Sequence, residues 1–237
     1  MRIYNKVLSQ EDVTNSYNAD KRSIENNENN ISRNNLVLEY SVNNSNKFEL
    51  KSITDVKGNI KADLYNVTLN DLGNGLEFNG SNSYAKIESL SENLEFPLSL
   101  ELTIEWPQKL SGYGVVFYEP NSGITFGIWD NYINVTIGEK SNLIEVPADF
   151  YSKGVKNIII NYTSLTDYKM YINGNEIPQL TTKDRWLKYS SPIIIGSRAG
   201  SYDYFKGTLY ELKIYNKILK NNEINSEYQK AINRYQK

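Results

Sequence analysis

The 237-residue chain contains no cysteine and no histidine. Without cysteine there is no disulfide framework, no thiolate metal site and no thiol nucleophile. Without histidine the usual general base and zinc ligand are gone, with every Ser-His-Asp or Cys-His arrangement. Any catalysis would rest on carboxylate, lysine or tyrosine. A dominant charge is missing too. The 26 basic and 28 acidic residues leave a net charge of -2, with no basic stripe to hold nucleic acid. No apolar run approaches the ~20 residues that cross a bilayer, so membrane insertion is not expected. The opening Met-Arg-Ile-Tyr-Asn-Lys lacks an apolar stretch and does not read as a secretory signal.

What is abundant is Asn, Ile, Lys and Tyr, with 19 tyrosines against three tryptophans. Lysine far outnumbers arginine, a bias of AT-rich bacterial genomes and their phages. The length suits one β-sandwich, which as a single domain often runs to about 200–250 residues.

A repeat organises the chain. Residues 2–20 align without gaps to 213–231, with identity at Ile3/Ile214, Tyr4/Tyr215, Asn5/Asn216, Lys6/Lys217, Leu8/Leu219 and Tyr17/Tyr228. Both copies read as strand end, tight turn and short helix. In the first copy Ser9 is placed to cap the helix, an acid follows at N3, and Leu8 and Val13 have the spacing of a hydrophobic staple. The second copy keeps Leu219, Glu223 and Ile224, but Lys220 is a poor cap, which leaves Asn221 as the alternative cap. The spacing of Ile224, Tyr228, Ala231 and Tyr235 predicts a helix over about 221–233. Residues 1–22 therefore read as the tail of a preceding repeat, 23–33 as a polar linker, and 34–237 as one full domain.

That domain reads as β almost throughout. Leu98, Leu100, Leu102, Ile104 and Trp106 alternate with Ser99, Glu101, Thr103 and Glu105, the pattern of a half-buried strand. Ile133, Val135 and Ile137 repeat it, as do Tyr168, Met170 and Ile172 before a turn at Asn173-Gly174. Further strands are expected at 36–40, 75–79, 84–88, 113–119, 123–129, 155–162, 192–196 and 207–215. In the last, Tyr210, Leu212 and Ile214 are expected to point one way, with Gly207 allowing a close approach before them. Short strands separated by turn residues imply an all-β, two-sheet antiparallel sandwich with a short C-terminal helix.

The succession NLVLEYS (35–41), GLEFNGSNSYAKIE (75–88), LSLELTIEW (98–106), KMYINGNEI (169–177) and PIIIGSRAGSYDYFKGTLYELKIYNKILKNNEI (192–224) resembles laminin-G-like, concanavalin A-like jelly-roll domains. The resemblance is particularly to the bacterial and phage subgroup, and it covers about 34–237. It implies a lectin-like, non-catalytic module that binds glycans on a cell surface. Tandem domains of this kind resemble parts of phage tail or receptor-binding proteins, which places the chain on a virion or a bacterial surface. A structural spacer or oligomerisation domain and an accessory module of a secreted enzyme or adhesin stay open, as does homo-oligomerisation in the full-length protein.

The same fold family includes glycosidases with carboxylates at i, i+2 and i+4 of one strand. The matching positions here are Glu101, Thr103 and Glu105. The middle acid is absent, and residues i and i+4 of a strand lie roughly 13 Å apart, against ~5–5.5 Å for a retaining pair. No catalytic residue is assigned. Relatives also hold calcium at the sandwich rim. Asp130, Asp167 and Asp203 fall near loops without forming a ligand run, so a structural calcium ion is the one cofactor left open. Sugar rings offer apolar C–H faces, which exposed aromatics can stack on. Trp129, Trp186, Tyr202 and Tyr204 are the candidate stacking residues, with Asp203 and Arg198 for polar contacts to hydroxyls or acidic sugars. Tyr132 and Tyr189 also lie beside loops, whereas Trp106 ends a core strand and is expected to be buried.

Overall fold

The computed structural model describes residues 9–10, 13–14, 35–42, 51–57, 59–87, 90, 94–106, 112–129, 132–138, 140–145, 154–178, 182–184 and 192–236. The chain divides into a first unit, residues 1–36, and a second, 37–237. In the first unit Gln10, Val13 and Thr14 are helical, and the Val13 N–H donates to the Ser9 carbonyl at 3.0 Å. Val13 is exposed. Its staple partner Leu8, with most of the 1–22 tail and the 23–33 linker, lies outside the described residues.

The second unit is a two-sheet sandwich. One sheet is assembled from β1 (Leu36–Ser41), β4 (Thr68–Leu69), β5 (Leu76–Asn79), β7 (Leu98–Glu105), β12 (Val155–Ser164), β13 (Asp167–Ile172), β14 (Asn175–Ile177) and β17 (Lys206–Tyr215). Its order is β14-β13-β12-β7-β17-β5-β4, and β1 also pairs with β17. The other contains β2 (Ser52–Thr54), β3 (Lys61–Tyr65), β6 (Tyr84–Ile87), β8 (Tyr113–Glu119), β9 (Ile124–Trp129), β10 (Tyr132–Ile137), β11 (Lys140–Glu145), β15 (Thr182–Asp184) and β16 (Ile193–Ile195). It runs β15-β11-β10-β9-β8-β16-β6-β3-β2. A helix, α1 (Asn221–Tyr235), follows β17. Neighbouring strands pair antiparallel, as in β12 with β7, β17 with β7 and β10 with β9.

The core lies between the sheets and uses the period-two residues of each strand. Leu100, Leu102 and Ile104 of β7, Ile158 and Ile160 of β12, Phe126 and Ile128 of β9, and Ile133 and Val135 of β10 are all essentially inaccessible. Trp106 is buried as its place in the alternation demands, edge-on to Phe205 at 4.9 Å. The Asn173-Gly174 turn joins β13 to β14, and both residues take positive φ, 51° and 79°, the backbone a tight hairpin needs. Gly207 passes so close to β7 that a Cβ would lie 2.5 Å from the Glu105 carbonyl oxygen.

Two expectations need correction. β7 is not half-buried. Ser99, Glu101 and Thr103 are as inaccessible as the leucines beside them, because α1 and its lead-in turn lie over that face. In β17 the residues Tyr210, Leu212 and Ile214 do not share a face. The pairing with β7 slips between Leu209 and Glu211, a bulge that turns the side chains over locally. Leu209, Leu212 and Ile214 enter the core, while Tyr210 packs against Tyr235, ring centroids 4.7 Å apart.

Polar chemistry docks α1. The Asn161 amide takes the Leu219 backbone from both sides, donating to its carbonyl (2.8 Å) and accepting from its N–H (3.3 Å). The helix caps at Lys220 rather than Asn221, with the Glu223 carboxylate accepting the Lys220 backbone N–H at 2.9 Å. Beneath it Lys213 meets Glu227 (2.8 Å), Glu211 (3.0 Å) and Glu101 (3.4 Å). Glu101 also accepts from Asn157 (2.9 Å) and Tyr215 (2.9 Å). Arg234 and the Tyr235 hydroxyl both reach Glu211. Burial pushes the Glu101 carboxyl up to about 7 against the pull of Lys213. For Lys213 burial opposes the charge, but Glu101, Tyr215, Glu227 and Glu211 outweigh it and hold the ammonium well above its ordinary range.

Candidate ligand-binding site

The outward face of the nine-stranded sheet carries a different chemistry from α1's face. Alternation sends Ala62, Leu64, Ala85, Ile87, Ile193 and Ile195 inward. Tyr65 on β3, Tyr84 and Lys86 on β6, Ile194 on β16, and Tyr113, Val115 and Tyr118 on β8 therefore face outward. Asn134 and Thr136 on β10 continue the face. Val115, Tyr118 and Ile194 make a small cluster of their own with Tyr84 and Tyr113 packed against it. Tyr65 and Tyr84 are register partners and their rings stack, centroids 4.5 Å apart at 12°. Burial, with Tyr65 and Tyr204 nearby, raises the Tyr84 phenol above its usual range, so it stays a neutral hydroxyl.

Tyr113 lies flat over the sheet because the residue below it is Gly127. A Cβ there would sit 2.9 Å from the Tyr113 ring and hydroxyl and 2.8 Å from the Gly114 oxygen. The Tyr113 hydroxyl reaches Asn134 Oδ1 at 2.8 Å, and the other end of that amide donates to Ser141 Oγ at 2.7 Å. Against this floor stands the segment between β16 and β17. Its backbone is tightly braced: Arg198 N–H donates to Tyr202 O (2.9 Å), Val115 N–H to Asp203 O (2.8 Å) and the Tyr204 hydroxyl to Gly200 O (3.1 Å). Ala199, Gly200 and Asp203 all take positive φ, 53°, 73° and 54°, a conformation L side chains adopt only where surroundings enforce it.

This segment unites four of the six residues expected from sequence. Tyr202 is 48% exposed. The Arg198 side chain is only 5% exposed, with Nε 3.1 Å from Asp203 Oδ2. Its guanidinium lies between two aromatic faces, 5.1 Å from the Tyr113 ring centroid and 5.7 Å from that of Tyr202, cation–π geometry. Tyr204 is half-buried and bridges to Val115, so it braces the loop more than it offers a platform. Trp129 ends β9 in register with Tyr113 and Tyr132, its side chain lying outside the described residues. Trp186 and Tyr189 also fall outside them, as does Asp130. Asp167 is occupied by the Thr163 hydroxyl at 2.8 Å, and no three acidic groups converge on a cation site among the described residues. A concavity of about 440 Å³ on the other sheet is lined by Val37, Leu94, Glu95, Leu98, Ile214, Tyr215 and Asn216; it lacks this mixture of exposed ring and buried charge.

The sequence did not single out Tyr65, Tyr84, Tyr113 or Asn134. All four are strand residues, and their outward alternation was the available signal. A model of the concanavalin A-like lectin/glucanases superfamily, in its laminin-G-like form, matches residues 79–225. The chain belongs to that superfamily. No curated protein matches it. As a superfamily member it shares its fold with the binding domain of botulinum neurotoxin DC, solved in complex with rat synaptotagmin II. That likeness has 14% identity and a TM-score of 0.64, over 84% of this chain and 52% of that one. The receptor-binding domain of botulinum neurotoxin type G gives 18% and 0.61, over 82% and 51%. A structure of botulinum neurotoxin type C, whose cell entry depends on two ganglioside molecules, gives 16% and 0.64, over 84% and 52%. The chain spans about half the length of each, and identities this low establish the jelly-roll fold alone.

Proposed function

We propose that this chain is a non-catalytic carbohydrate-binding module that recognises glycans on a cell surface, carried on a larger receptor-binding protein. The observation that carries this reading is the exposed Tyr202 ring set beside the buried Arg198 and its part-exposed partner Asp203 on a braced loop. An aromatic face takes the apolar C–H side of a pyranose, and neighbouring amide, hydroxyl and charged groups fix its orientation. The structural neighbours named for receptor binding, one of them for gangliosides, fit the same reading. A place on a phage tail or bacterial surface agrees with the tandem arrangement read in the sequence.

Against a glucanase stands the location of the β7 acids. Glu101 is fully buried under α1 and hydrogen-bonded to Asn157 and Tyr215, and Glu105 accepts the Tyr210 hydroxyl at 2.8 Å. Glu101 is thus sealed in the interior and Glu105 is engaged by a phenol, whereas a retaining mechanism needs two carboxyls ~5–5.5 Å apart.

One shallow site of this kind supports a Kd on the order of millimolar to micromolar, roughly -4 to -8 kcal/mol. Firm attachment then comes from several copies displayed together, which favours homo-oligomeric assembly of the whole protein. The test is a glycan array and a whole-cell binding assay with an oligomerised form of the chain, repeated with Tyr202→Ala. Binding that falls at least tenfold in the variant supports the site. Unchanged binding removes it, and no binding to any glycan or cell wall favours a structural spacer.

A further inference from the structure

We infer that residues 2–20 are a docking latch for a jelly-roll sandwich other than the one at 37–237, and that this partner precedes residue 2 in the full-length polypeptide. The inference stands apart from the glycan reading. It starts from how the second copy of the repeat, residues 213–231, is used in the fold. Ile214 fills the core. The Tyr215 hydroxyl donates to Glu101 at 2.9 Å. The Lys217 carbonyl accepts the Ser99 hydroxyl at 2.7 Å, and its ammonium pairs with Glu223. Leu219 is sealed from solvent, its carbonyl held by Asn161 and its N–H donated to Ser99 Oγ at 3.1 Å.

Four of the six positions identical between the copies are these docking residues: Ile3, Tyr4, Lys6 and Leu8 match Ile214, Tyr215, Lys217 and Leu219. Lys6 and Asp12 keep the ion pair in kind, and Val13 stands for Ile224. The unlike positions are mostly on the exposed side of the second copy, at Lys220, Asn221, Asn222, Asn225, Gln229 and Lys230. Buried Glu227 and Ala231 are the exceptions, replaced by Ser16 and Asp20. The first copy therefore carries the chemistry of the docked side.

Its helix also starts in the same way. The Val13 N–H donates to the Ser9 carbonyl at 3.0 Å, and the Ile224 N–H to the Lys220 carbonyl at 2.9 Å, one bond at matching positions. The cover is what differs: Ile224 is 1% exposed and Val13 46%. A short helix draws its stability from the apolar side it buries, and here the staple residue of the first copy is open. In the 37–237 sandwich the face that receives such a segment, Ser99 and Glu101 on β7 with Asn161 on β12, is already filled by the second copy. A second molecule of this chain offers the same face, equally filled. The partner is thus another sandwich of this family, with a hydroxyl and a carboxylate two residues apart on one strand and an amide on the next. Arg2 replaces Lys213 while Ser16 replaces Glu227, so the partner's own carboxylate takes the cation without a helix acid to share it.

The deciding measurement is amide exchange in the full-length polypeptide and in the 237-residue chain. Docking on a preceding sandwich should slow the Leu8 and Val13 amides at least about tenfold in the longer protein, and Tyr4→Ala with Leu8→Ala should remove the slowing. Equal exchange in the two proteins overturns the inference. Slowing that appears in the 237-residue chain and grows with its concentration assigns the latch to a second copy and overturns the covalently joined partner. A graft asks the same question without the longer protein. With residues 3–17 written over 214–228, nine substitutions that leave the four docking residues in place, Leu219 and α1 should stay protected. Adding Tyr215→Ala and Leu219→Ala to the graft should speed their exchange at least about tenfold. A graft that fails to hold the helix, or holds it equally without those two side chains, overturns the equivalence of the copies and the inference with it.

Discussion

Replacing Glu101 by Gln tests the buried network under α1 through the pH dependence of stability. Glu101 is fully buried and its folded-state carboxyl is pushed up to about 7, against an ordinary value of 4.5 in the unfolded chain. Between those values the folded protein keeps a proton that the unfolded chain releases, so stability falls as pH rises through this window and levels off above it. A gap of that size, at ~1.4 kcal/mol per unit, makes the loss about 3 kcal/mol at most. Glutamine mimics the protonated acid and cannot ionise. Lys213 still keeps Glu227 and Glu211 as partners in the variant. Urea denaturation followed by tryptophan fluorescence, at pH 5 and pH 8, should show little difference between variant and parent at the lower pH. At the higher pH the variant should be the more stable. A parallel pH slope in the two proteins would refute the argument, since Glu101 would then ionise in the fold as it does in the unfolded chain.

Three other substitutions probe separate parts of the molecule. Asn161→Ala removes both bonds to the Leu219 backbone; leaving those groups unpaired should cost about 1–3 kcal/mol, and amide exchange should accelerate throughout α1. Trp106→Ala opens the core beside Phe205 and should cost ~3–5 kcal/mol in chemical denaturation. Gly127→Ala drives a methyl group into Tyr113. It should lift that ring off the sheet, shift the Tyr113 and Arg198 signals by NMR, and weaken glycan binding with about 1–3 kcal/mol of lost stability. A variant with unshifted signals would show that the ring does not depend on the glycine beneath it.

Local pattern was enough for the strands with a clean alternation and strong turn signals. β7, β8, β10, β13, β16 and β17 appear within a residue or two of their expected bounds, and the helix covers its expected span. The strands that escaped detection are short or carry polar residues inward. β3 has only Ala62 and Leu64 as core contacts, and β11 sends Asn142 inside beside Tyr168. Period two in hydrophobicity cannot mark a strand whose inward residue is an amide.

Burial of the second face of β7 could not be read locally either. Glu101 and Thr103 alternate as solvent residues do, and only the return of the chain through α1 turns that face into an interior. The bulge at Tyr210 likewise depends on pairing with β7, since one extra residue in a strand reverses which side chains face the core. The site divides the same way. The loop Arg198–Tyr204 is contiguous in sequence, so its mixture of ring, cation and acid was visible there. Tyr113, Gly127, Asn134, Tyr65 and Tyr84 come from five strands and meet on one face only through sheet order. Composition and alternation determined that this chain must be a β-sandwich. Which charges are buried, and which aromatics share a surface, were decided by contacts between residues far apart in the chain.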